Sequence, residues 1–156
     1  MAYKKILWTT DGSENALRSL SAAVYLAKTF QASLCALHVV KKVPMLSSKG
    51  FTPPAPMTFD VPKYQQELAG EMKKYLEKTI GDNAPELDGV EIVVEVGNPA
   101  ETIMDFAKRS GVDLIVMSTH GRKGVRHMLL GSVAEVVIRH SPVPVMTVPG
   151  IKKSKN

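Results

Sequence analysis

The chain carries one long segment with the composition of an anion site. An apolar run, Leu114-Ile115-Val116-Met117, leads into Ser118-Thr119-His120-Gly121-Arg122-Lys123-Gly124-Val125-Arg126-His127-Met128-Leu129-Leu130-Gly131-Ser132, and Val133 to Ile138 follows as a helix start. Strand, glycine-bearing basic loop and helix N-terminus in that order suit phosphate. Glycines let the backbone approach closely, the first N–H groups of a helix point outward, and the helix dipole favours negative charge. Arg122, Lys123 and Arg126 add attraction. A purely structural account fits the same residues. Ser132 and Glu135 form S-x-x-E, a capping box, and Gly121, Gly124 and Gly131 can serve as turn residues. A Walker loop is excluded because no lysine follows the glycine at the helix start, and G-x-G-x-x-G is absent.

A second polar cluster, Thr9-Thr10-Asp11-Gly12-Ser13, follows the first apolar run. Asp11 suits a ribose- or metal-binding carboxylate there. Its simpler role is a local turn with Ser13, because aspartate accepts readily from the backbone two residues on. Of the histidines His38, His120, His127 and His140, none has metal-ligand spacing to another ligand type on a predicted helix face. His38 ends the second strand and reads as a buried structural histidine, while His120 lies in the loop, able to orient it or to meet a ligand. No activated nucleophile stands beside a base. The lone cysteine, Cys35, sits in the apolar run Leu34-Cys35-Ala36-Leu37 and belongs to a core.

These clusters need elements to hold them, and the chain alternates strands and helices throughout. Ile6 to Thr9 is the first strand. Ser13 caps a helix with inner positions Ala16, Leu20, Ala23, Val24, Ala27 and Phe30. Ser33 to Val40 is a second strand, and Val61, Tyr64, Leu68, Met72, Tyr75, Leu76 and Ile80 mark a second amphipathic helix. Val90 to Val96 is a third strand. Asn98-Pro99-Ala100-Glu101 opens a third helix with a capping asparagine and an early proline, and Ile103, Met104 and Ala107 form its inner stripe. Leu114 to Met117 is the fourth strand, Ser132 to about His140 the fourth helix, and Val143 to Val148 the fifth strand. Five strands alternating with four helices predict a single doubly wound α/β domain, a Rossmann-like five-stranded parallel sheet covered on both faces. Ligands of such sheets bind beyond the carboxyl ends of the strands where strand order reverses. If the first and fourth strands are neighbours there, both polar clusters line one crevice.

The expected domain is 1–150, with a proline-rich insertion at about 41–60 and a basic tail at 151–156. The insertion carries Pro44, Pro53, Pro54 and Pro56 and has no periodicity. Loops this long serve as lids or as solvated connections. As a lid its lysines could reach a phosphate at the crevice mouth, but the solvated connection is the favoured reading. The 156 residues, 44% of them apolar, suffice for one core. No apolar run is long enough to span a bilayer, and Met1 to Ile6 leads directly into a strand without the apolar core of a signal peptide. The expected compartment is the cytoplasm. The net charge of +5 is partly in the tail, and aromatics are only 6%, so no nucleic-acid or membrane partner is expected.

The chain resembles the universal stress protein family, in its nucleotide-binding branch. The resemblance runs from Lys4-Lys5-Ile6-Leu7 to Val145-Met146-Thr147-Val148. It rests on Thr10-Asp11-Gly12-Ser13, Leu37-His38-Val39, Val112 to Met117, Ser141-Pro142-Val143-Pro144-Val145, and Ser118-Thr119-His120-Gly121 followed nine residues later by Gly131-Ser132. The family's ATP signature is glycine, two residues, glycine, nine residues, glycine, then serine or threonine. Gly121, Gly131 and Ser132 match it, and Ser118 stands where the first glycine would be. The resemblance implies an adenine nucleotide alpha hydrolase-like fold and a ligand of ATP or AMP. Thr9, Thr10 and Asp11 would flank base and ribose, and Val39 would meet adenine through its backbone. Met117, Ser118, Gly121 and Arg122 would line ribose and inner phosphate, and Gly131, Ser132 and Val133 the outer phosphates, with Mg accompanying ATP. It implies a stress-response regulator with at most slow ATP hydrolysis or autophosphorylation, and an unidentified protein partner. A homodimer through Val143 to Val148 follows both from the resemblance and from the apolar, edge-like character of that strand. The alternative is a ligand-independent dimeric interaction module.

Overall fold

The computed structural model describes residues 2–42, 60–119 and 130–150. The elements run β1 (Lys5–Thr10), α1 (Glu14–Phe30), β2 (Ser33–Lys41), α2 (Val61–Asn83), β3 (Glu91–Gly97), α3 (Pro99–Arg109), β4 (Leu114–Ser118), α4 (Ser132–His140) and β5 (Val145–Val148). All the strand pairs are parallel, and the order across the sheet is β3-β2-β1-β4-β5. The doubly wound α/β reading therefore holds, with β1 and β4 adjacent at the point where the order reverses.

The sheet's centre is buried on both faces, which explains the unbroken apolar runs of β1, β2 and β4. Side chains alternate between two layers. Ile6, Trp8, Leu34, Ala36, Leu114 and Val116 face α1 and α2. Leu7, Cys35, Leu37, Ile115 and Met117 face α3 and α4. Burial pushes the Cys35 thiol up to about 12, with the neighbouring Glu91 charge acting in the same direction. The thiol thus stays protonated and serves as packing.

Local chemistry sets the helix ends. Asn98 Oδ1 accepts from Ala100 N at 3.1 Å and Glu101 N at 3.4 Å, the cap its sequence predicts for α3. In the α3 stripe Ile103 and Ala107 are buried together with Phe106, and Met104 is only half-buried. Asp60, placed by the sequence at the close of the insertion, instead caps α2 by accepting from Lys63 N at 3.0 Å. α1 ends where Gln31 turns into the left-handed region at φ 54, and Ala32 N then returns to Ala27 O at 2.9 Å.

Four expectations are corrected. Ser13 occupies the N-cap position of α1, but its side chain makes no capping bond. The S-x-x-E box is not formed: Gly131 is the N-cap of α4, and Glu135 pairs with Arg139 at 3.2 Å instead. Tyr64 and Tyr75 are exposed at 44% and 45%. α2 covers the edge side of the sheet, where only Leu76, Thr79 and Ile80 of the helix are buried, and tyrosine tolerates such a boundary. β5 begins at Val145 rather than Val143, because the Ser141 hydroxyl bonds Val143 N at 3.2 Å and Val143 O at 2.7 Å and holds that residue in a turn. Most of the proline-rich insertion and the basic tail lie outside the described residues.

Candidate functional site

The reversal point brings the tips of three strands level. The β1–β4 register pairs Trp8 with Val116, and each strand runs two residues further, to Thr10 and Ser118. In the β1–β2 register Thr10 pairs with His38, so Val39 stands one step beyond. Thr9 and Met117 are buried, at 6% and 5% exposure, and form the floor beneath the tips. Thr10, Asp11, Val39 and Ser118 are half-buried around it. The described ends of the two polar clusters, Thr10 and Ser118, thus lie at the tips of neighbouring strands.

The β1 tip is a self-bonded turn. Thr10 Oγ1 accepts from Gly12 N, and Asp11 Oδ1 accepts from Ser13 N, both at 3.0 Å. Gly12 has φ 77, a left-handed conformation that glycine adopts without strain. The local-turn role of Asp11 is therefore real, and it aims the carboxylate from a fixed backbone. The Ser13 hydroxyl, displaced from capping, is buried without a hydrogen-bond partner among the described residues. A buried hydroxyl left unpaired is costly, and this state was not legible from a sequence that marked Ser13 as a cap.

The β4 tip holds the start of α4. Thr119 N donates to Val148 O at 3.0 Å, and Gly131 N donates to Thr119 O at 2.6 Å. Gly131, the N-cap of α4, is thereby tied to the residue that follows β4. Gly131 has φ −71 and ψ 152, which any residue adopts. Backbone conformation therefore does not require glycine there. Ser132 and Val133 open the helix, and the first N–H groups of a helix have no partner within it. Gly121 and Arg122 lie outside the described residues, as do His120, Lys123, Gly124, Arg126 and His127. An open cleft of about 770 Å³ adjoins the helix start, lined by Lys41, Lys42, Gly97, Asn98, Ser132 and Val133 among others. The contribution of the β3–α3 junction was missed in the sequence, because it depends on α3 and α4 sharing one face.

The register is fixed from the opposite end of the sheet. Asp113, just before β4, accepts from Lys4 N at 2.7 Å and Lys5 N at 2.9 Å, while its own N–H donates to Lys5 O at 2.8 Å. These backbone donors hold the Asp113 carboxyl below its ordinary range. Among the described residues no helix is long and apolar enough to cross a membrane.

Residues 2–149 match the family model described as Universal stress protein family. Universal stress protein MJ0531 of Methanocaldococcus jannaschii is 38% identical over 153 residues, which is 97% of this chain and 85% of that protein. The solved structure of MJ0577, from the same organism, superposes with a TM-score of 0.81 at 30% identity, over 98% of this chain and 100% of that one. A universal stress protein solved in complex with cAMP shares the fold at a TM-score of 0.67 and 23% identity, over 95% of this chain and 98% of that one. With nearly its whole length matched in this way, the chain belongs to the universal stress protein family.

Proposed function

We propose that this stress-response protein binds an adenine nucleotide, ATP or AMP, beyond the carboxyl ends of β1, β2 and β4. The observation that carries the reading is the adjacency of the β1 and β4 tips, the first carrying the Thr10–Ser13 turn and the second tied through Thr119 and Gly131 to the start of α4. In this arrangement the adenine meets the backbone at Val39. The ribose lies over Thr9, Thr10, Asp11, Met117 and Ser118, and Gly121 and Arg122 attend the inner phosphate. Gly131, Ser132 and Val133 receive the outer phosphates through backbone N–H groups. Ser118, in place of a glycine, adds a hydroxyl near the sugar. Magnesium arrives with ATP, held chiefly by phosphate oxygens. That a relative with this fold was solved with cAMP supports an adenylate as the ligand class. On this reading the ligand regulates rather than reacts, with slow ATP hydrolysis or autophosphorylation at most. Titration of the purified protein with ATP, ADP, AMP and cAMP, with and without magnesium, is the test. Failure to bind any of them removes the proposal and leaves a ligand-independent interaction module.

The proposed assembly is a cytoplasmic homodimer through the last strand, Val143 to Val148. β5 is an edge of the sheet, and Met146 on it is 40% exposed. An unpaired edge invites a second strand, and a two-fold axis makes the pairing antiparallel. Val145→Lys with Val148→Lys places like charges across that axis and should yield a folded monomer by light scattering. A parent that is already monomeric at micromolar concentration refutes the assembly.

A further inference from the structure

The β1-tip turn is held by bonds made within itself and by a bond from β2. His38 lies on β2, directly across the register from Thr10, and is 8% exposed. Its Nδ1 is 2.8 Å from Thr10 O. A carbonyl oxygen only accepts, so Nδ1 carries the proton and donates. The bonded carbonyl belongs to the peptide joining Thr10 to Asp11, where β1 ends and its backbone ladder runs out. Fixing that peptide plane fixes the direction in which Asp11 leaves the strand. Asp11 then holds Ser13 N, and Thr10 Oγ1 holds Gly12 N. The turn's internal bonds set its shape; the His38 bond sets where that shape sits relative to β2 and Val39.

We infer that His38 is a positioning residue for the ligand, acting through the Thr10 carbonyl to hold Asp11 in register with the base-binding edge at Val39. The inference rests on the adenylate reading for its ligand effect, but the ordering of the turn is independent of any ligand. A buried histidine used only as packing would be replaceable by an apolar side chain of similar size. A donor to a strand-end carbonyl is not. Asparagine is the conservative replacement, because its amide N–H occupies a place close to that of Nδ1–H.

Three measurements test this on the full chain: amide exchange by NMR, nitrogen-15 spectra of the imidazole, and AMP affinity. In His38→Leu the Gly12 and Ser13 amides should exchange about fivefold faster or more, the loss of one neutral hydrogen bond, while the Ala84 and Ser110 amides at distant helix ends keep parental rates. AMP affinity should fall by about five- to tenfold in the same variant at a temperature where it is fully folded. His38→Asn should restore most of both. The parent should show a protonated Nδ1. Parental Gly12 and Ser13 exchange in the leucine variant overturns the inference, as does an imidazole protonated on Nε2 alone. If leucine does not fold, an asparagine variant with disordered Gly12 and Ser13 amides overturns it equally. A parent that binds no adenylate defeats the functional reading and the affinity effect with it, and the exchange data then decide the positioning role alone.

Discussion

Replacing Asp11 separates its two duties. Its Oδ1 accepts from Ser13 N at 3.0 Å, and the carboxylate is proposed to take the ribose hydroxyls. Asp11→Ala removes both. Loss of the turn bond should lower stability by about 1 kcal/mol, the net worth of a neutral-donor hydrogen bond in a half-buried setting. Loss of the ribose contact should weaken binding by about 1–3 kcal/mol, because a desolvated sugar hydroxyl is left unpaired. At about 1.4 kcal/mol per factor of ten, that is roughly 5- to 150-fold in Kd. Asp11→Asn separates the two, since its side-chain carbonyl still accepts from Ser13 N. Its melting temperature should stay near the parent's, while affinity falls by less than in the alanine variant. Calorimetric titration with AMP and ATP, beside thermal melts, supplies every number. A ribose contact is common to both nucleotides, so both should weaken by a similar factor. Unchanged affinity for both in the alanine variant refutes the ribose role and leaves Asp11 a turn residue. Loss of ATP alone, with AMP untouched, moves the carboxylate to the metal.

Gly131→Val should abolish or severely weaken nucleotide binding while costing about 1 kcal/mol of stability, because φ −71 accommodates valine and only the helix-start preference for glycine is lost; a folded variant that binds ATP like the parent defeats the phosphate assignment. Ser19→Ala strands the Trp8 indole N–H, which donates to Ser19 Oγ at 2.9 Å with both residues fully buried, and should destabilise the fold by about 1–3 kcal/mol in denaturant melts followed by the lone tryptophan's fluorescence; no change in the midpoint would discount that bond. Asp113 has a depressed carboxyl pKa, so its charge stabilises the fold above the unfolded value of about 3.9 and the benefit disappears as pH falls through the lower folded value. Asp113→Asn should accordingly be less stable than the parent at neutral pH, with the gap closing below about pH 4, and a gap that persists into stronger acid contradicts the linkage.

Much of this architecture is written locally. The apolar runs of β1, β2 and β4 announce strands buried on two faces, and Asn98-Pro99-Ala100-Glu101 announces a helix start, because each signal depends on neighbours in the chain. The Thr-Asp-Gly-Ser turn is legible for the same reason. Where several local devices compete, sequence chooses badly: Ser13 and Ser132 both have the chemistry of a cap, yet Asp11 holds the Ser13 amide and Gly131 takes the cap position of α4. Tyr64 and Tyr75 share the spacing of an inner stripe, but how much of a helix is covered depends on where it crosses the sheet. The juxtapositions that make a site are tertiary altogether. That β1 lies beside β4, that Gly131 is tied to Thr119, and that His38 faces the Thr10 carbonyl each join residues remote in sequence. Local preference has no access to such contacts, because strand order and register are set by packing two helical layers onto one sheet.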